Sequence, residues 1–157
     1  MSQNHIKIRP AGFPFHLTNE DYLSKNFESE FIFTLPNGSN NTLQTWTLVP
    51  HQHPLFAGGF LILLDGMKNV ALQYNCKKNK VTASHLIRGS PWFVWRIELH
   101  ESPNNSFEVE CTISPFLKPS LGLTHKGASQ PVSVEPVYEE MERQKWFLVL
   151  ARKMYKL

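Results

Sequence analysis

The fold this chain predicts is a β-trefoil, three copies of one four-stranded unit closed into a small all-β barrel. Three segments look like copies of one another: Gln44-Thr45-Trp46-Thr47-Leu48-Val49, Phe93-Val94-Trp95-Arg96-Ile97-Glu98 and Gln144-Lys145-Trp146-Phe147-Leu148-Val149. Their tryptophans stand 49 and 51 residues apart, so one unit of about fifty residues fills the 157-residue chain three times. Nothing reads as a long helix. Eleven prolines and eight glycines are spread along the chain, and only Glu139 to Lys145 is charged enough for a helical turn.

Each unit divides into four short apolar or alternating runs separated by Pro-, Gly- or Asn-rich breaks. In the first unit, about 5–50, these are Ile6-Lys7-Ile8, Phe13-Pro14-Phe15-His16-Leu17, Phe31-Ile32-Phe33 and Trp46-Thr47-Leu48-Val49. The second, about 58–99, offers Phe60 to Leu64, Val70 to Tyr74, Val81-Thr82-Ala83 and Trp95 to Leu99. The third, about 106–150, supplies Phe107 to Cys111, Leu121-Gly122-Leu123, Val132-Ser133-Val134 and Trp146 to Leu150. A lone four-stranded unit cannot bury both of its faces, whereas three around a pseudo-threefold axis close a barrel and remove most sheet edges. The expectation is one domain over 1–157 with twelve strands, its three repeat tryptophans in the core.

A chain of this size hides roughly 70% of its unfolded surface on folding, enough for a core without staples. Cys76 and Cys111 are too few for a disulfide framework and could pair or stay reduced. No N-terminal apolar stretch precedes Pro10, and no run approaches the ~20 residues of a membrane span. The expected location is cytoplasmic, or outside the cell by an unconventional route, with no membrane partner. Three sequons, beginning at Asn37, Asn40 and Asn104, serve better as turn sequence than as glycan acceptors. The formal charge is +3, and basic residues cluster only at Lys77, Lys78 and Lys80 and in the tail Arg152-Lys153-Met154-Tyr155-Lys156, so nucleic acid is not an expected partner.

Catalysis has no motif to rest on. The only aspartates, Asp21 and Asp65, stand in no nucleophile elbow, phosphate loop or zinc-protease helix. Glu139, Glu140 and Glu142 read as an exposed charged turn, and His51-Gln52-His53 as a solvated linker between units rather than a metal site. No enzyme activity, metal or cofactor is expected.

Gln44-Thr45-Trp46 and Gln144-Lys145-Trp146 resemble the Gln-x-Trp signature of ricin-type trefoil lectins, from which the middle unit departs with Phe93-Val94-Trp95. That resemblance implies a sugar pocket combining an aspartate, an aromatic platform and an amide-bearing residue within one unit. The residues it nominates are Asp21, Asp65 and Trp92, although unit three has no aspartate. Gln130-Pro131-Val132-Ser133-Val134-Glu135-Pro136 with Glu142-Arg143-Gln144-Lys145-Trp146, and Val81-Thr82-Ala83 through Ser90-Pro91-Trp92 to Glu98, resemble the β-trefoil protease inhibitors of mushrooms, the mycocypins and their serine-protease-inhibiting relatives.

This second resemblance implies a fungal defence protein that presents a rigid loop to a serine, cysteine or asparagine-specific protease. A loop held ready for the cleft lowers the ordering cost of binding. Lys25-Asn26, Lys68-Asn69 and the loop around Gly12, which lies between Pro10 and Pro14, are the implied contact points. A basic residue suits a trypsin-like pocket, and an asparagine suits an asparagine-specific one. Protease inhibition is thus the leading expectation and sugar binding the alternative.

Overall fold

A computed structural model describes residues 4–10, 15–19, 32–36, 45–65, 69–100, 108–127, 131–137 and 142–150. All twelve expected strands form. In chain order they are β1 (Asn4–Pro10), β2 (Phe15–Asn19), β3 (Ile32–Pro36), β4 (Trp46–Pro50), β5 (Gly59–Leu64), β6 (Val70–Asn75), β7 (Lys80–His85), β8 (Trp95–Leu99), β9 (Glu108–Pro115), β10 (Leu121–Thr124), β11 (Ser133–Pro136) and β12 (Trp146–Leu150). The only helical turns among the described residues are 3-10, at Pro54–Phe56, Pro91–Phe93 and Glu142–Gln144, the last within the expected charged turn.

Six strands close on themselves in the order β1-β12-β9-β8-β5-β4 and back to β1. Closure leaves no free edge on the barrel. The remaining strands form one hairpin per unit: β2–β3, β6–β7 and β10–β11. The fold is therefore a β-trefoil.

The register shows how closely the units repeat. Trp46, Trp95 and Trp146 face Ile6, Phe60 and Cys111 across one edge, and Leu64, Pro115 and Pro10 across the other. In each first strand the two partners are four residues apart. The threefold relation thus holds at single-residue level. All three indoles are fully buried, and each donates its N–H to a leucine carbonyl on its own unit's hairpin: Leu17 at 3.1 Å, Leu72 at 2.9 Å and Leu123 at 2.9 Å. A buried indole without such an acceptor would forfeit about 1–3 kcal/mol, so the bond makes each tryptophan a clamp between barrel and hairpin.

Around the tryptophans pack Ile6, Ile8, Leu17, Ile62, Leu72, Ile113 and Leu123, all essentially inaccessible. Cys111 belongs to this core and Cys76 packs against it, and both are free thiols. Burial, reinforced by the neighbouring charge of Glu110, pushes the Cys111 thiol up to about 12, which makes it a packing group rather than a nucleophile.

Candidate functional site

With Leu17, Leu72 and Leu123 as equivalent positions, the hairpins can be compared residue by residue. Strand alternation turns Gln73 and Thr124, which follow Leu72 and Leu123, to the opposite face of each hairpin from the leucine. In unit two that face carries the half-buried Gln73 and Ser84 and the buried Thr82, while Val70, Leu72, Tyr74, Val81 and Ala83 are buried on the other. The Thr82 hydroxyl donates to Gln73 Oε1 at 3.3 Å and lies 3.2 Å from Ser84 Oγ, giving a neutral row of amide and hydroxyls.

The same face of unit three carries Ser133 and Glu135, both half-buried, with Thr124 fully buried beneath them, because Thr124 pairs with Ser133 as Gln73 pairs with Thr82. Glu135 therefore stands where unit two has Ser84. Its Oε2 accepts the Ser133 hydroxyl at 2.8 Å and pairs with the Lys126 ammonium. The Lys126 hydrogen bond first, then the Ser133 bond and the charges of Lys126 and Arg143, hold its carboxyl below the ordinary range in spite of partial burial. Glu135 is thus ionised at neutral pH. Oε1 accepts no hydrogen bond among the described residues.

Behind this face lies Gln144, whose buried amide nitrogen donates to Thr124 Oγ1 at 3.2 Å, the Glu135 carbonyl at 3.2 Å and the Pro136 carbonyl at 2.9 Å. Gly122 makes room for it: a Cβ there would stand 3.5 Å from the Gln144 amide and 3.2 Å from a Val137 methyl. This glutamine of the third Gln-x-Trp segment is a hairpin lock. Its counterpart in unit two is the buried Phe93, and Gln44 of unit one lies outside the described residues.

Among the nominated residues, Gly12, Asp21, Lys25, Asn26 and Lys68 lie outside the described part of the chain, as do the three sequons. Asn69 is exposed, with its backbone in the left-handed region at φ 60°, and its carbonyl accepts the Leu86 N–H at 2.7 Å. Asp65 follows β5 and has both oxygens engaged: Thr47 donates to Oδ1, and His5 Nδ1 lies 2.6 Å from Oδ2. Trp92 is half-buried against the core and meets the Tyr74 ring edge-on at 6.0 Å.

Asp65 and Trp92 do not converge. Val70, beside the turn that carries Asp65, is separated from Tyr74 by roughly 13 Å of strand at ~3.3 Å per residue. The lectin resemblance implies an aspartate and so passes over Glu135. The usable signal was the alternation Val132-Ser133-Val134-Glu135, which buries the valines and turns Ser133 and Glu135 to the opposite face. The two imidazoles of His51-Gln52-His53 turn Nδ1 onto the backbone N–H groups of His53 and Leu55, each at 3.1 Å. No group of three metal-ligating side chains occurs among the described residues.

Comparison with solved structures finds the same architecture at low sequence identity. The SeviL protein bound to asialo-GM1 saccharide is 17% identical, with a TM-score of 0.63 over 96% of this chain and 99% of that one. The C-half of an earthworm R-type lectin, solved in complex with GalNAc, is 14% identical, with a TM-score of 0.62 over 94% and 99%. The BEL β-trefoil is 11% identical, with a TM-score of 0.67 over 94% and 93%. The likeness is one of fold. No protein-family model matches the chain, and no curated protein matches it in sequence.

Proposed function

We propose that this β-trefoil is a carbohydrate-binding module rather than an enzyme, with its glycan site on the outward face of the third hairpin. The observation that carries the reading is Glu135, an ionised carboxylate fixed through one oxygen by Ser133 and Lys126 while the other accepts no hydrogen bond among the described residues. A carboxylate oxygen and an adjacent ammonium can accept from and donate to neighbouring sugar hydroxyls. Charge-assisted bonds of this kind are roughly twice as strong as neutral ones. Gln144 holds the hairpin that bears them, so little ordering cost attends binding. That two trefoils of similar extent carry saccharides, asialo-GM1 in one and GalNAc in the other, supports the reading.

Protease inhibition, the leading expectation from the mushroom-inhibitor resemblance, has less behind it. Of its five nominated residues only Asn69 is described, and no neighbour named above is an inhibitor. A glycan array probed with the wild type, Glu135→Gln and Gln73→Ala tests the proposal. The wild type should bind a defined glycan set, Glu135→Gln should weaken it by about tenfold or more, which is ~1.4 kcal/mol, and Gln73→Ala should leave it intact. An array without hits, beside inhibition of a papain- or trypsin-like protease, would return inhibition to the lead.

A further inference from the structure

Two leucines stand exposed at the corners of two adjoining turns. Leu55, 75% exposed, is the third residue of the turn His53-Pro54-Leu55-Phe56, closed by Phe56 N–H to the His53 carbonyl at 2.9 Å. Leu117, 49% exposed, is the third residue of Pro115-Phe116-Leu117-Lys118, closed by Lys118 N–H to the Pro115 carbonyl at 3.0 Å. The residues beside them tie the turns together, because the rings of Phe56 and Phe116 meet edge-on at 5.4 Å.

Several contacts hold this platform. His51 packs edge-on against Phe56 at 4.9 Å, and the Arg96 guanidinium lies 4.0 Å over Phe116 while its Nε donates to the Phe116 carbonyl at 3.0 Å. Gly59 lets the loop close down, since a Cβ there would stand 2.5 Å from a Val94 methyl and 2.9 Å from the Phe116 ring. The imidazoles of His51 and His53 accept N–H groups of the loop itself. A loop so fixed does not hold Leu55 out by accident of disorder.

Within the two turns the charge has one sign. Neither Pro50 to Phe60 nor Pro115 to Leu121 contains a carboxylate, whereas Lys118 and Arg96 are exposed beside them. We infer, against the expectation of no membrane partner, that these paired turns are a docking surface for an anionic lipid bilayer, on which the protein adsorbs without spanning. A protein partner is the weaker occupant, because two convex side chains cannot fill the ~800 Å² per side of an ordinary interface. A bilayer rewards each inserted apolar side chain separately, asks for no matching shape, and attracts basic residues when it carries phosphatidylserine. The inference stands apart from the proposed glycan site.

Sedimentation with vesicles tests it, using phosphatidylcholine alone and phosphatidylcholine mixed with phosphatidylserine, neither bearing a glycan. The wild type should sediment with the mixed vesicles and far less with phosphatidylcholine alone. Leu55→Asp/Leu117→Asp should lose about tenfold or more of that binding with an unchanged melting temperature, as both side chains face water. Lys118→Glu should weaken it by a smaller factor. Failure to sediment with the mixed vesicles would overturn the inference and leave the leucines to a protein partner. Equal binding by the double variant would overturn it as well.

Discussion

Units two and three solve one packing problem with opposite chemistry. In unit two the residue two before the tryptophan is Phe93, a buried apolar ring, and the hairpin carries a neutral row of Gln73, Thr82 and Ser84. In unit three the equivalent position is Gln144, a buried amide bonded to the hairpin, and the hairpin carries a charged pair, Glu135 with Lys126. The buried tryptophan and its bond to the hairpin leucine are the same in both. The lesson is that the repeat conserves the clamp and frees the face. Function in such a fold is sought where the units differ.

The largest effect should come from what the units share. Trp95→Ala and Trp146→Ala should each destabilise by about 3–5 kcal/mol in denaturant unfolding, through lost burial and a residual cavity. A much smaller loss in one of them would mean that the clamps are not equivalent.

Next in size is the lock that only unit three has. Gln144→Ala removes the donor from two carbonyls and the Thr124 hydroxyl at once, and leaving such buried groups unpaired should cost about 1–3 kcal/mol. Gln144→Glu should not rescue it, because a carboxylate brings acceptors where the hairpin needs a donor. Full stability of the alanine variant would show that the hairpin stands without its lock.

Smaller, and sharper as a contrast, is the response to acid. His125 and Tyr74 occupy equivalent positions, two residues beyond Leu123 and Leu72. Burial first, and then the charge of Arg143, lowers the pKa of His125 from its ordinary 6.5. The folded state therefore favours the neutral ring, and the stability it supplies is complete above 6.5 and is lost as pH falls from there toward the lowered value. Glu135 is also lowered, from 4.5, so its contribution persists through that range and is lost only as pH falls through its own lower value. Melting temperature against pH should decline in two stages. His125→Phe should remove the first stage, and Glu135→Gln only the second.

Much of this was legible in the sequence. The tryptophan spacing and the apolar runs located all twelve strands, because barrel burial imposes alternation on every unit and the Trp clamp imposes its period. The hairpin faces were not legible in the same way. Nothing in Gln144-Lys145-Trp146 says that its glutamine points inward as a lock, and Phe93 looks like a mere departure until its burial, two residues before Trp95, matches that of Gln144 before Trp146. Asp65 drew notice as an aspartate, yet His5, sixty residues away in the chain, supplies the partner for one of its oxygens. Which carboxylate is spoken for depends on contacts between units, and those appear only once the barrel is closed.

The central claim is that the third hairpin, and not the second, receives a glycan. The most direct test is to titrate the best array glycan into isotopically labelled protein and follow backbone amide shifts. Perturbations confined to Gly122 through Lys126 and Ser133 through Pro136, and lost in Glu135→Gln, are the expected result. Shifts centred on Gln73, Thr82 and Ser84, or on the turn around Asp65, that survive in Glu135→Gln would contradict it.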